Sequence, residues 1–316
     1  MRKIFLLLML ISCIQASHVQ KHKLNIHTSD IDNFWIAFDS IHKTSDEEKQ
    51  LEIIQKLYLD KATVGLKDFI LSRKHSAKRH LDNVNKYPKF WKSIRPKTEE
   101  IEMFTPKFET VFRKYHKVYP DFIEPEIYFT IGVLNSGGTT SPNRILIGSE
   151  ISCADKNTDV SELNDWYKDV FKLNNGVVAM VAHEIGHTQQ KDLDTENGGK
   201  SNLLGYCIRE GMCDFLAELT CQKISTPYMI YGNAHKKELW IKFQKEMLTQ
   251  ETKDWLYNGN NAPNGIADLG YFMGYEICRS YYKNAKNKKR AIDEMFKLDY
   301  NAKSVLDFLK KSKYNG

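Results

Sequence analysis

Beyond its first residues the sequence has no apolar run long enough to cross a membrane as a helix, so a bundle of membrane-spanning helices is excluded. It has no internal repeat, which excludes a solenoid, and no clear interdomain linker. It also lacks a basic stripe interleaved with aromatic residues. The formal net charge of +6 comes mostly from scattered Lys with Asp and Glu between them, so a nucleic-acid partner is not indicated. Cysteine is sparse: six in 316 residues, one of them inside the leader. The remaining five (Cys153, Cys207, Cys213, Cys221 and Cys278) are an odd number, so at least one thiol is free unless it pairs between chains, and an exported location permits disulfides without demanding them. Cys207, Cys213 and Cys221 fall in one expected helix, where pairing is geometrically poor, and buried free thiols are the expectation.

What is present begins with an export signal. Arg2 and Lys3 form a positive start, and Ile4 to Ile14 an apolar core too short to span. Two processing routes fit. Residues 1–16 read as an ordinary signal peptide ending at Ala16. Alternatively, Leu10-Ile11-Ser12-Cys13 resembles a bacterial lipobox, with a lipoprotein signal ending before Cys13. Either way the protein is expected to be exported, to the bacterial periplasm or outer membrane on a lipid anchor or as a secreted protein. Any membrane contact would be through Cys13.

The length suffices for one large core or two lobes. Residues 17–120 read as a helical region with apolar stripes such as Ile31, Phe34, Trp35, Phe38 and Ile41. Pro88 should kink or split a helix near Ser76 to Ile94, and Lys97 to Tyr119 reads as one longer helix. His75, His80 and His116 sit in charged surroundings and are expected at the surface. Residues 121–316 have a different texture. Glu126 to Leu134 and Arg144 to Gly148 read as strands flanking a turn-rich loop, 135–143. The expected fold class is α+β, mostly α-helical, with a small antiparallel sheet just before the most informative stretch.

That stretch is Asn174 to Thr188. It reads as a helix with an apolar first half, Asn174 and Asn175 as N-cap candidates, and His183, Glu184 and His187 in its second half. Residues four apart share a helical face, so His183 and His187 can aim two imidazoles at one metal ion, with Glu184 beside it. This is the His-Glu-x-x-His pattern of zinc hydrolases. Gly186 has no side chain to crowd a metal or a neighbouring backbone. A catalytic zinc usually takes a third protein ligand. On the next apolar helix Glu210 is the expected ligand and Asp214 the acceptor for a ligating imidazole N–H, with Glu218 as the competing ligand.

His183-Glu-Ile-Gly-His187 followed by Glu210-Gly-Met-Cys-Asp214 resembles the gluzincin metallopeptidases. Gly137-Gly-Thr-Thr140 and Gly270-Tyr-Phe-Met-Gly274 add a resemblance to the bacterial family described as predicted zinc-dependent proteases. The resemblance covers about residues 120 to 285, and Cys213 departs from the small residue expected there. It implies a zincin-type active-site helix beside the sheet, a zinc cofactor and a peptide or protein substrate. Glu184 would be the general base, and Tyr271 or Tyr275 would be the oxyanion donor. The strand Glu126 to Leu134 would pair with extended substrate, by analogy with that clan. The alternative is a non-catalytic zinc-binding envelope protein or lipoprotein. Cys207 or Cys213 near the metal would favour it, because structural zinc sites are closed by four protein ligands and are often Cys-rich. A zinc hydrolase acting on a non-protein substrate is a third reading.

Overall fold

The computed structural model describes residues 24–192 and 201–316. The export signal therefore lies outside the described residues, as does most of the polar segment after the motif. Six helices come first: α1 (Ser29–Ile41), α2 (Glu47–Ile54), α3 (Val64–Arg73), α4 (Ala77–Lys86), α5 (Pro88–Glu99) and α6 (Thr105–Val118). The sheet strands are β1 (Ile26–His27), β2 (Glu126–Thr130), β3 (Gly138–Ser141) and β4 (Arg144–Gly148). Then follow α7 (Ser149–Ser152), α8 (Asp165–Lys172), α9 (Val177–Gln189), α10 (Leu203–Thr220), α11 (Pro227–Ala234), α12 (Lys236–Glu246), α13 (Leu269–Asn284), α14 (Lys288–Phe296) and α15 (Ala302–Ser312). The fold is α+β, mostly helical, with a small open sheet.

Pro88 splits its helix as expected: Tyr87 leaves helical geometry and Pro88 opens α5, where its missing N–H costs nothing. The expected single helix from Lys97 to Tyr119 is instead the end of α5, a short 3-10 turn at Ile101–Phe104, and α6. The helix after it opens at Thr105 with Pro106 in its first turn. One contiguous apolar core runs through both regions of the chain, from Leu24 and Ile31 to Leu309. Tyr58 ties the early helices to the sheet strand side. Its hydroxyl donates to the Ile131 carbonyl at 2.5 Å and accepts from the Ile131 N–H at 3.0 Å.

The sheet order is β1-β2-β4-β3, and only the β3–β4 pair is antiparallel. The expected antiparallel pairing of the two long strands is thus corrected: β2 and β4 run parallel, Glu126 opposite Arg144. The reason is β3, which forms inside the stretch expected to be a loop. It reverses the chain once, and the tight turn at Asn143 (φ 56°) reverses it again. The strands carried the signal. Ile127 to Thr130 and Ile145 to Gly148 are buried without alternation, as strands covered on both faces are.

His75 and His80 are also corrected. They are 7% and 1% exposed, packed edge-to-face on each other with ring centroids 5.3 Å apart. The charged neighbours read from the sequence lie on the outer faces of α3 and α4, while these two imidazoles turn inward. His116 is exposed and bonded to Glu124.

Candidate metal centre

α9 starts at Gly176, whose φ of 82° suits only glycine. Asn174 is not the cap. Its amide Nδ2 donates to the Ile151 and Ala154 carbonyls and its Oδ1 accepts from the Gly176 N–H, so it fixes the loop that enters the helix. Val177, Ala179, Val181, Ala182 and Ile185 bury the shaft. α9 meets α10 at Gly186, where an added Cβ would stand 2.8 Å from Cys213 Sγ. α10 in turn packs closely on α13: a Cβ on Gly274 would lie 1.7 Å from the Cys207 carbonyl oxygen.

This stacking sets Glu210 of α10 against His183 and His187 of α9. His183 Nε2 is 3.1 Å from His187 Nε2. Glu210 Oε2 lies 3.1 Å from His187 Nε2 and 3.7 Å from His183 Nε2. The imidazoles are 13% and 10% exposed. Each has its other nitrogen held. Asp214 Oδ1 accepts from His183 Nδ1 at 2.8 Å, and Gln190 Oε1 accepts from His187 Nδ1 at 2.9 Å. The Gln190 amide is oriented by its own Nε2, which donates to the Arg209 carbonyl at 2.8 Å. Tyr228 donates to Asp214 Oδ2 at 2.8 Å, and Tyr257 donates to Glu210 Oε1 at 2.6 Å.

The consequence is chemical. With both Nδ1 atoms donating, neutral imidazoles turn two lone pairs and one carboxylate oxygen toward the same point. Either a proton or a cation has to sit there. Burial alone would favour neutral His183, but Asp214 and Glu210 hold its pKa well above the ordinary value. Burial would raise Glu210, yet His187 and His183 hold it well below the usual range. Donor separations of 3.1 to 3.7 Å suit one ion, since ligands about 2.0 to 2.2 Å from a tetrahedral zinc lie roughly 3.3 to 3.6 Å apart.

A second donor set shares the histidines. His183, His187 and Cys213 offer ligand atoms that all lie within 4.8 Å of one another. The residues present therefore suit a metal ion. The Glu210 set is the tighter of the two, and Cys213 approaches from the α9–α10 interface. The Cys213 thiol is fully buried, and burial, with Glu210 adding to it, pushes its pKa well up.

The remaining expected site residues are spread out. Glu184 is 5% exposed, and its carboxylate packs on Gly138, the first residue of β3. Burial raises its pKa, with His187 and His183 opposing. The Tyr271 ring stacks 6.2 Å from the His183 ring. Tyr275 faces elsewhere, donating to Glu218 Oε1 at 2.8 Å, which also accounts for Glu218. Gln190, Tyr228 and Tyr257 were not foreseen. Gln190 stands three residues after His187 and was within reach of the helical-spacing argument; the two tyrosines come from separate segments and carry no local signal.

Comparison with known families decides how this geometry is to be read. Residues 13–316 match the family model described as gliding motility protein GldB. The chain belongs to that family. No curated protein and no solved structure matches the chain. Membership of that family makes the protein an exported, lipid-anchored one, consistent with the periplasm or outer membrane. Among the described residues no helix is long and apolar enough to cross a membrane.

The family assignment overturns the gluzincin resemblance, which rested on short motifs in part of the chain. With it fall the expected metallopeptidase activity, Glu184 as general base, and Tyr271 or Tyr275 as oxyanion donors. Short motifs fix a constellation of donors, and that constellation serves structural sites as well as hydrolytic ones. The cluster of His183 and His187 with Cys213 fits the non-catalytic alternative better.

Proposed function

We propose that this protein is a lipid-anchored envelope component of gliding motility that holds one zinc ion for structure and not for catalysis. His183, His187 and Glu210 are its ligands, and Cys213 closes the site from the α9–α10 interface. Asp214 and Gln190 fix the two imidazole tautomers, as partners of ligating histidines commonly do. The observation that carries the reading is the approach of His183 Nε2, His187 Nε2 and Glu210 Oε2 to within 3.7 Å of one another, three atoms that can all ligate once both Nδ1 atoms carry the ring protons. A mixed nitrogen, oxygen and sulfur set is the donor chemistry zinc accepts. The ion would tie α9 to α10, so its binding energy would add to the stability of the fold.

The test is elemental analysis of purified full-length protein beside Glu210→Ala and Cys213→Ala, followed by cobalt substitution. One zinc per chain is expected, weakened in both variants. The cobalt protein should show a thiolate-to-metal charge-transfer band that Cys213→Ala removes. No zinc after chelator-free purification and zinc readdition would overturn the metal site. Zinc without that band would remove Cys213 from it.

A further inference from the structure

Beside the metal centre lies a cleft of about 590 Å³, within the size range of ligand pockets. One wall is aromatic: Trp166, Tyr228, Tyr257 and Tyr271. The other is the Asn135–Gly138 segment with Arg73, the last residue of α3. Arg73 is the unusual group. It is half-buried, its guanidinium makes no ion pair among the described residues, and its Nε is buried with no hydrogen-bond partner. Arg95, the other half-buried arginine of the helical region, has Asp39 and Glu99 on its guanidinium. The positive charge acts on the Glu184 carboxylate across the cleft, but the two are not paired.

We infer that the cleft binds a carboxylate-bearing ligand, the C-terminus of a polypeptide, with Arg73 as the clamp. A guanidinium fork matches a carboxylate with two parallel hydrogen bonds. The surroundings restrict the ligand. Asp169, Glu184, Asp214 and Asp268 also line the cleft. A phosphate dianion or an acidic chain would meet stronger repulsion there than a single carboxylate carried by a neutral or basic peptide. The aromatic wall suits the apolar body of the preceding residues. The volume accommodates a few residues.

Binding is non-destructive and stands beyond the zinc proposal, since Arg73 is not a ligand to the metal. The test uses zinc-supplemented full-length protein and a pool of N-acetylated tetrapeptides, half free acids and half C-terminal amides, with retention read by mass spectrometry. Free acids should be retained at least about tenfold over their amide twins, the usual worth of a charge-assisted pair. Arg73→Gln should bring the ratio to one, and Arg73→Lys should keep part of it. A ratio near one in the wild type, or one unchanged by Arg73→Gln, overturns the clamp. Displacement of every retained peptide by an equal concentration of succinate would assign the site to small carboxylic acids and overturn the polypeptide part. Zinc content and melting temperature, measured on the same samples, separate failure of the clamp from failure of the metal site or of folding.

Discussion

Gln190→Leu is the sharpest single test of how the metal centre is held. The side chain touches no metal ligand atom that would face the ion. It accepts from His187 Nδ1 at 2.9 Å and donates to the Arg209 carbonyl at 2.8 Å. Leucine keeps most of the volume and removes both bonds. One lost bond costs about 0.5–1.5 kcal/mol net, and a buried group left without a partner costs about 1–3 kcal/mol. His187 would then be free to turn or to change tautomer, either of which removes the Nε2 lone pair from the site. Loss of such an outer partner typically weakens metal binding about 10- to 100-fold, equal to about 1.4–2.8 kcal/mol, which agrees with the bond arithmetic. The assay is a zinc competition titration against a chromophoric chelator, with the melting temperature of the metal-free protein as control. Gln190→Glu supplies the contrast. It keeps an acceptor for Nδ1–H but loses the donor to Arg209, so zinc affinity should hold while the metal-free protein loses stability. A Gln190→Leu variant that binds zinc within about threefold of wild type would refute the tautomer argument.

Two further outcomes follow from the fold. His80 is buried among Phe34, Tyr58 and His75, with neither ring nitrogen bonded to a protein group. Burial pushes its pKa well below the ordinary value, and burial likewise lowers His75 to about 4. A depressed histidine binds fewer protons folded than unfolded, so this stability is present above about pH 6.5 and is lost as pH falls toward 4. His75 alone accounts for about 3 kcal/mol over that window. Glu150, raised by burial to about 7, acts in the opposite sense as pH rises from 4.5 to 7, so the informative quantity is the difference between variants. His80→Phe should raise the urea midpoint at pH 7 and flatten its fall toward pH 5; a lower midpoint with an unchanged slope would show that water satisfies those nitrogens. Gly274→Ala should destabilise by more than the usual 1–3 kcal/mol of overpacking. The added methyl meets the Cys207 backbone and not a movable side chain, and a loss under about 1 kcal/mol, measured by urea unfolding, would show that α10 and α13 separate easily.

Among the described residues Cys153, Cys207, Cys213, Cys221 and Cys278 are unpaired. Cys207 and Cys278 line the α10–α13 contact, where a small apolar side chain lets two helices approach. Cys213 does the same between α9 and α10, which is why one residue both packs against Gly186 and stands near the histidines.

The sequence by itself determined which residues the chain could bring to a metal. The i, i+4 spacing of His183 and His187 is a property of any helix, and Glu210 and Asp214 repeat it one helix later. It also determined the helix-rich class, the split at Pro88 and the short export signal, because these rest on local sterics and on run length. Only the tertiary structure decided the rest. Register between α9 and α10 set Glu210 on the histidines and left Glu218 with Tyr275. The partners Gln190, Tyr228 and Tyr257 reach the site through the fold. Burial turned His75 and His80 inward and left Arg73 unpaired at the cleft. β3 formed from a stretch with loop composition because β4 offered it a paired edge, and its presence made β2 and β4 parallel. Local sequence specifies which donors share a face; which faces meet, and what is left without a partner when they do, is a matter of packing between segments far apart in the chain.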